Sequence, residues 1–358
     1  MIEKILIENF RGFTHWECAA LAPITLVGGR NNSGKSSLLE AIAVNANVSC
    51  FDLAVNLNEM RGIKLRKFKD VLALFNQGDM TQPFRISTWL DGAERRIVEA
   101  TYKEPEIITY RPPKDAIPGR EFLERLENLQ HVEFHVRIEN DYANELNIDD
   151  KLYFLQDGEH HFAFTRLPRA HIRELGRYVS PRVMADAAAL MEPLFREKRM
   201  NEITQVLHDV DERIVGVEMF DGRVWANDST SKNMLPIQAL GDGMMKIVTY
   251  IAIVLTSTKG AVVCVDEIEN GLHHSVMLPM WRVLVRVAVS RGVQLIITSH
   301  NIEMMQQISR DKEVAGLLGK DGVFTYKKLV RFDDGSLAVK HYDFEQFAYA
   351  VQNSLEVR

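Results

Sequence analysis

The sequence is short of cysteine and of long apolar runs, and each shortage argues against a class of protein. Three cysteines, Cys18, Cys50 and Cys264, occur among 358 residues; they are too few and too scattered for a disulfide framework or a metal site. They suit a reducing compartment. The longest apolar run, near residues 247–255, is about half of a membrane span, and residues 1–5 lack the basic start and apolar core of a signal peptide. We therefore expect a soluble, cytoplasmic protein.

The charge balance gives no general reason to expect binding to nucleic acid. The net charge is −6, with 46% hydrophobic and 26% charged residues, as in ordinary globular proteins. Residues 61–69 are the local exception, because they carry five positive charges and no negative one. This segment is either a patch that faces a partner or nucleic acid, or a solvated helix face, and the second interpretation is favoured. The length allows two domains or one large composite domain.

A phosphate-binding loop is the clearest motif in the chain. Residues 29–36 fit the pattern G-x-x-x-x-G-K-[ST], with an apolar, β-branched strand at 24–27 before them and a helical pattern at 37–43 behind them. Strand, loop and helix in this order argue against a chance match to a glycine-rich turn. Lys35 is expected to reach the β- and γ-phosphates and Ser36 to bind Mg²⁺. The predicted nucleotide-binding residues of this loop are Gly29, Arg30, Asn31, Asn32, Ser33, Gly34, Lys35, Ser36 and Ser37.

Two buried strands near the end of the chain carry the other candidate catalytic residues. The run 260–265 is small and apolar and ends in Asp266 and Glu267, as a strand buried in a parallel sheet should. Asp266 is the candidate Mg²⁺ ligand and Glu267 the candidate general base; a strand-ending loop or helix cap is the alternative. The run 293–298 is a second such strand, and His300 follows it. A lone histidine is more often a satisfied polar residue, but this position favours contact with the γ-phosphate and the attacking water.

The remaining elements are predicted from hydrophobic periodicity and turn residues. Asp157, Glu159, His160 and His161 stand close together, but an exposed hairpin is favoured there over a metal site. Proline and charge at 105–118 indicate the start of an inserted segment. Strands are predicted at 2–8, 84–90, 95–102 and 131–136, with a strand pair near 322–340. Helices are predicted at 121–130, 185–210, about 272–290 and 343–352, and residues 239–246 are expected to open another that runs to about residue 256.

The chain resembles the ATP-binding-cassette type of head domain, within the RecF/SMC/OLD branch and the AAA_15/AAA_21-like ATPases of bacterial defence systems. The wide separation of Lys35 from Asp266 fits that type and not small GTPases or nucleotide kinases. The resemblance implies an α/β fold, an ABC-ATPase-like head with a mixed sheet core and flanking helices, split by an α+β insertion. It rests on the motifs at 5–13, 29–36, 240–246, 266–273 and 298–301. The implied domains are 1–104 (N-terminal head), 105–230 (insertion), 231–310 (C-terminal head) and 311–358 (hairpin and helix).

The resemblance also implies roles for further residues and a dimer. Gly241, Asp242 and Gly243 would form the signature motif, which contacts the γ-phosphate bound by a partner subunit, so that a homodimer sandwiches two ATP molecules. Residues 270–273 would form the D-loop at that interface. Arg11 would lie near the nucleotide. The remaining expectations are that Lys246 adds positive charge beside the signature helix and that the glutamine loop contains Gln77 or Gln82.

The chain departs from the family pattern in two ways. Gly241 replaces the usual signature serine, so hydrolysis is expected to be slow or conditional. The stretch after His300 is too short for the Toprim nuclease domain of OLD proteins, and Asp333–Asp334 is predicted to be a turn. If the system cuts nucleic acid, we expect the nuclease to be a separate polypeptide.

Three functions follow as expectations. The first is a Mg²⁺- and ATP-dependent ATPase that dimerises head to head and controls a separate effector, a nuclease or toxin, in anti-phage defence. The second is an ATP-gated scaffold or sensor with negligible turnover. The third is a RecF-like repair ATPase that grips DNA, with the 61–69 segment as part of the grip.

Overall fold

The computed structural model describes most of the chain, with gaps in its first half. The helix predicted at 121–130 lies outside the described residues except for Gln130, which begins a strand. The proline-rich stretch at 105–118 and three of the basic residues of the 61–69 segment (Lys64, Arg66 and Lys67) also lie outside them. The structure describes residues 1–47, 56–63, 68–90, 94–103, 130–139, 146–154, 161–165, 176–181 and 186–353.

The chain divides into two compact units that alternate along the sequence. Residues 20–39 and 175–358 belong to one, here the parallel-sheet unit, and residues 2–19 and 40–174 belong to the other, the antiparallel-sheet unit. The predicted domain boundaries at 104/105, 230/231 and 310/311 stay a prediction.

The antiparallel-sheet unit is built on a seven-stranded sheet in the order β2-β1-β4-β5-β6-β7-β8, in which every pair of neighbours is antiparallel. The predicted strands at 2–8, 84–90, 95–102 and 131–136 are confirmed. The strands of this sheet are β1 (Ile2–Phe10), β2 (Phe13–Ala19), β4 (Phe84–Leu90), β5 (Arg95–Lys103), β6 (Gln130–Glu139), β7 (Leu146–Phe154) and β8 (His161–Thr165).

The parallel-sheet unit is built on a six-stranded sheet in the order β16-β15-β3-β14-β13-β9, parallel except for the β15–β16 pair. Every residue of β3, β13 and β14 is buried, which explains why these strands read as continuous apolar runs. A three-stranded sheet, β10-β11-β12, belongs to the same unit. The strands are β3 (Ile24–Gly29), β9 (Gly176–Val179), β10 (Ile214–Phe220), β11 (Arg223–Asp228), β12 (Leu235–Pro236), β13 (Val262–Val265), β14 (Gln294–Thr298), β15 (Phe324–Arg331) and β16 (Leu337–Tyr342).

Helices pack on the parallel sheet and complete its core. The fourth helix has ten buried residues and is apolar around most of its circumference, as a helix enclosed by its neighbours must be. The helices described with both ends are α1 (Lys35–Ala46), α2 (Ala187–Arg196), α3 (Met200–Val210), α4 (Asp242–Thr256), α5 (His274–Arg291), α6 (Ile302–Arg310), α7 (Lys312–Leu318) and α8 (Phe344–Gln352).

The prediction of a single amphipathic helix at 185–210 is wrong, because the structure has two helices there, α2 and α3. Lys198 adopts a left-handed conformation with φ of 57°. The N–H of Arg199 bonds to Leu194 O at 2.7 Å and the N–H of Lys198 bonds to Phe195 O at 3.0 Å. These two bonds form the Schellman motif that ends helices. Glycine usually occupies the left-handed position at the end of a helix, so Lys198 did not indicate a helix end in the sequence.

The predicted fold class is confirmed: the protein is a mixed α/β structure with a largely parallel sheet and flanking helices. Among the described helices, none is both long enough and apolar enough to cross a bilayer.

Candidate nucleotide-binding site

The phosphate-loop motif lies between β3 and α1, as the sequence predicts. The strand ends at Gly29 and the helix begins at Lys35. Gly29 has a φ of 139°, and a Cβ there would lie 2.5 Å from Leu329 O and 2.7 Å from Ser33 Oγ. No side chain fits at this position, so the path of the loop requires glycine.

The polar groups of the loop suit an anion. The Lys35 ammonium is buried and donates from Nζ to Gly29 O at 2.9 Å and to Arg30 O at 2.8 Å. The Ser33 hydroxyl is buried and has no hydrogen-bond partner among the described residues. Buried hydroxyls are nearly always paired, so an unpaired one beside a helix N-terminus fits a phosphate oxygen.

Asp266 follows β13, and strands on both sides hold its carboxylate. Thr298, at the end of β14, donates from Oγ1 to Asp266 Oδ1 at 2.6 Å, and Tyr178, in β9, donates from its hydroxyl to Asp266 Oδ2 at 3.2 Å. Asp266 is only 4% exposed. The donor set fits Mg²⁺, because Asp266 offers carboxylate oxygen and Ser36 a hydroxyl oxygen, and Mg²⁺ binds oxygen ligands.

Glu267 turns sharply away from the strand. Its φ of 47° is left-handed, which is uncommon for glutamate and often marks a functional site. The N–H of Glu267 bonds to Thr298 Oγ1 at 2.7 Å, and Asn270 Nδ2 donates to Glu267 Oε2 at 3.4 Å. The carboxylates of the two acids therefore have different partners: Thr298 and Tyr178 for Asp266, and Asn270 for Glu267.

His300 follows β14, and a second glutamate holds its backbone. The N–H of His300 bonds to Glu269 Oε1 at 2.6 Å, while Glu269 Oε2 is buried without a hydrogen-bond partner among the described residues. Burial lowers the pKa of His300 below its ordinary 6.5, the charge of Lys35 lowers it further, and the nearby acids oppose both effects. The imidazole is therefore neutral at pH 7.

The electrostatic influence of these groups on one another indicates that they lie close together. Burial lowers the pKa of Lys35 to about 8, against the opposing attraction of Asp266, Glu267 and Glu269. The charge of Lys35 also acts on His300. Because β3, β14 and β13 are adjacent and parallel, their carboxyl ends meet at one edge of the sheet, where α/β folds bind ligands. The structure thus brings Lys35, Asp266, Glu267 and His300 together.

The predicted signature motif lies at the start of α4. Gly241 is exposed, with φ of 91° and ψ of 162°, and it provides no side-chain cap for the helix that begins at Asp242. Lys246, one turn into the helix, donates from Nζ to Asn270 O at 2.6 Å and to Asn270 Oδ1 at 2.8 Å. Helix α4 is therefore linked to the loop that follows Glu267.

Arg11 and the two candidate glutamines belong to the antiparallel-sheet unit. Arg11 Nε lies 3.0 Å from Glu40 Oε2, and Arg11 Nη1 donates to Ala73 O at 2.7 Å. Gln77 is in a left-handed conformation with φ of 53°. The nucleotide contact of Arg11 stays a prediction, and so does the glutamine loop at Gln77 or Gln82.

The acidic pair at 333–334 forms a turn, as predicted. Asp334 Oδ1 accepts from the N–H of Ser336 at 2.9 Å and from Ser336 Oγ at 2.6 Å. Three residues of the alternative metal site, Asp157, Glu159 and His160, lie outside the described residues.

Comparison with known proteins identifies the family. The profile of the AAA_21 family, described as "AAA domain, putative AbiEii toxin, Type IV TA system", matches residues 24–305. The chain belongs to the AAA_21 family. This AAA_21 chain is also similar to a Helicobacter pylori protein named "ATP/GTP phosphatase", with 21% identity over 99% of this chain and 98% of the relative.

Solved structures of SMC heads also resemble this AAA_21 protein. One is an Smc head domain with an extended coiled coil, bound to the C-terminal domain of ScpA and derived from Pyrococcus furiosus; it has 12% identity, a TM-score of 0.49 and 99% coverage of both chains. Another is an SmcHead bound to the C-winged helix domain of ScpA, with 14% identity, a TM-score of 0.48, and coverage of 96% of this chain and 98% of that one.

Four residues of this AAA_21 site were not assigned from the sequence. Tyr178, Thr298 and Glu269 hold the candidate catalytic groups, and Arg331 donates from Nε to the loop carbonyl of Asn32 at 3.2 Å. Thr298 and Glu269 stand within the sequence motifs, close to His300 and Asp266 along the chain. This closeness was the signal from which the sequence could have assigned them to the site. Tyr178 and Arg331 stand outside any motif.

Proposed function

We propose that this AAA_21 protein is a Mg²⁺-dependent ATPase that dimerises head to head around ATP and controls a separate effector in anti-phage defence. The observation that carries the proposal is the meeting of Lys35, Asp266, Glu267 and His300 at one edge of the parallel sheet. A lysine in a phosphate loop, a carboxylate pair and a neutral histidine are the groups that phosphoryl transfer to water needs.

Each side chain then has one task. Lys35 binds the β- and γ-phosphates, together with the N–H groups at the start of α1. Glu267 orients the attacking water and accepts its proton, and neutral His300 contacts the γ-phosphate and this water. Ser36 and Asp266 would hold Mg²⁺, and the bound ion would neutralise charge on the phosphates. Catalysis is then mainly positioning and stabilisation of charge.

Two further observations support the rest of the proposal. Gly241 and Asp242 are exposed at the start of α4, where a partner subunit's phosphate can approach the helix N-terminus. The family description names a putative toxin of a Type IV TA system, and the Helicobacter pylori relative is named an ATP/GTP phosphatase. These names motivate an effector under nucleotide control and both nucleotides as substrates to test.

Glu267→Gln tests the catalytic assignment. The amide keeps the size of the side chain but cannot accept a proton, so hydrolysis should fall by about 100-fold or more. ATP should still bind and should stay bound longer. Phosphate release and retention of labelled ATP measure the two effects, with ATP and GTP as substrates and with and without DNA.

Glu345→Gln is the matched control, because Glu345 is an exposed glutamate in the first turn of α8. It should hydrolyse ATP at the wild-type rate. If Glu267→Gln also does so, the assignment of the general base is wrong.

An ATP-gated scaffold with negligible turnover is the second candidate, and Gly241 favours it. Glycine has no hydroxyl to contact a partner's γ-phosphate. Wild-type protein that binds ATP but releases no phosphate under any of these conditions would leave the scaffold as the function.

A further inference from the structure

Thr298 is a buried residue that contacts both acids of the site. It is 0% exposed and lies at the end of β14. Its hydroxyl donates to Asp266 Oδ1 at 2.6 Å and accepts from the N–H of Glu267 at 2.7 Å. A threonine hydroxyl has one proton and two lone pairs, so it can make both bonds at once.

Sheet register places Thr298 between the phosphate loop and the acids. On one side it pairs with Val27 of β3, two residues before Gly29. On the other side the register Val265↔Ile297 puts it beside Asp266. Its own carbonyl accepts from the N–H of Ile268 at 3.2 Å. Thr298 therefore sits on the central strand of the three that form the site.

The two bonds of the hydroxyl have different consequences. The bond to Asp266 Oδ1 is short and made to a charged group, which is the stronger kind, and it fixes the rotation of the carboxylate. The bond from the Glu267 N–H holds a backbone in the left-handed region, where glutamate is strained. One hydroxyl thus orients the candidate metal ligand and sets the direction of the candidate base.

We propose that Thr298 is a positioning residue that couples Asp266 to Glu267, so that the metal ligand and the base are set together. The inference rests on the proposed ATPase function. Groups that orient a metal's ligands typically change metal affinity or activity by about 10- to 100-fold when they are removed. Packing of the threonine methyl group is the competing explanation.

Two pairs of variants separate the hydroxyl from packing. Thr298→Val replaces the hydroxyl with a methyl group of similar size and keeps the β-branched shape that suits a strand. Thr298→Ser and Thr298→Ala differ from each other by the hydroxyl alone, and they keep the test informative if valine disturbs folding. Circular dichroism and the melting temperature check that each variant folds.

Thr325→Val is the matched control. Thr325 is a buried threonine of β15 in the same sheet, and its hydroxyl contacts His341 Nδ1 at 2.9 Å. It should show the effect of losing a buried hydroxyl outside the site, with Mg²⁺ dependence unchanged.

Two readouts test the coupling. Mg²⁺ should raise the affinity for a fluorescent ATP analogue above the affinity measured in EDTA. The first readout is the Mg²⁺ concentration that gives half of this increase. The second is kcat and KM for ATP. We expect Thr298→Val and Thr298→Ala to raise that Mg²⁺ concentration about tenfold and to lower kcat about tenfold or more, with affinity in EDTA little changed. Thr298→Ser should stay within about threefold of wild type, because it keeps the hydroxyl.

The outcomes distinguish this inference from the proposed function. If the wild type releases no phosphate, the ATPase proposal fails, and the Mg²⁺ readout still decides the role of Thr298. If Thr298→Val matches wild type in both readouts, the coupling is wrong. If Thr298→Ser loses as much as Thr298→Ala, the methyl group and not the hydroxyl matters, and the coupling is equally wrong.

Discussion

At the scale of single residues, the charge of Lys35 governs the affinity of the site for anions. Its ammonium group is buried, and burial lowers its pKa from 10.5 to about 8. At pH 7 it is protonated, and above pH 8 it loses its charge in the free protein. Bound phosphates favour the charged form. ATP binding above pH 8 therefore takes up a proton.

We predict that the affinity for ATP falls as the pH rises from 7 to 9.5. Between the pKa of free Lys35 and its higher pKa in the complex, the dissociation constant should rise by up to about tenfold per pH unit. Equilibrium binding of a fluorescent ATP analogue at several pH values measures this. In the free protein the pKa of His300 lies below 6.5, so the imidazole is mainly neutral across this range before ATP binds.

Lys246→Ala is the control for this titration, because burial also lowers the pKa of Lys246. The variant should keep the same pH dependence, and an affinity that is flat from pH 7 to 9.5 in the wild type would contradict the role of Lys35.

The effect of pH on the stability that Lys35 contributes has the opposite sign to its effect on ATP affinity. The unfolded state holds the proton up to pH 10.5 and the folded state only to about pH 8, so the contribution of Lys35 to the free energy of unfolding rises with pH in that window.

Which site residues could be predicted depended on whether a short motif contains them. Lys35, Asp266 and His300 stand at fixed places in recognisable strand–loop patterns, and the structure brings them together. The link from Tyr178 to Asp266 depends on the register between β9 and β13, which are far apart in sequence. A local pattern carries no information on such a register.

At the scale of elements, the length and burial of a strand decided whether it could be predicted from the sequence. The fully buried β3, β13 and β14 are runs of β-branched and apolar residues, and all three were predicted. The edge strand β9 has only four residues and two of them are half-buried, so neither length nor alternation marks it. The break between α2 and α3 was missed because lysine takes the left-handed position there.

The backbone at the start of α4 favours glycine at position 241, which the sequence predicts to belong to the signature motif. The φ of 91° and ψ of 162° of Gly241 lie in a region that is essentially restricted to glycine. Nothing lies within 4 Å of a Cβ built there. The obstacle to serine is therefore backbone strain and not lack of space.

We predict that Gly241→Ser destabilises the protein by about 1–3 kcal/mol, the cost of holding serine in this region. The free energy of unfolding from urea titration, followed by circular dichroism, measures it. Gly316→Ala is the control, because Gly316 lies within α7 with nothing within 4 Å of a Cβ; it should be neutral or stabilising by up to about 1 kcal/mol. Equal stability of Gly241→Ser and wild type would show that α4 can begin differently.

At the scale of the whole molecule, one of the points where the chain passes between its two units lies inside regular structure. One crossing falls at residues 39 and 40, within α1. No proline, glycine or run of charge marks that point in the sequence. Boundaries of this kind are set by contacts between distant strands, so composition alone could not locate them.

The proposed dimer predicts that two inactive variants repair one another. Lys35→Ala removes the phosphate-binding lysine. Gly243→Glu places a carboxylate in the first turn of α4, where it competes with a partner's phosphate for the helix N-terminus; a Cβ there meets Gly271 O at 3.4 Å, an acceptable contact. Each variant alone should hydrolyse ATP slowly, because every shared site in its homodimer has one damaged half.

Mixing the two variants in equal amounts should restore about a quarter of the wild-type rate, because half of the dimers are mixed and one of the two sites in each is intact in a symmetric dimer. Phosphate release is measured on the mixture and on each variant alone, with light scattering to give the mass with and without ATP. The double variant in one chain is the control, since mixing it with Lys35→Ala leaves no intact site. If the mixture is no faster than its parts at concentrations where the wild type is dimeric with ATP, the nucleotide is not shared between two subunits, and the phosphate loop acts within one chain.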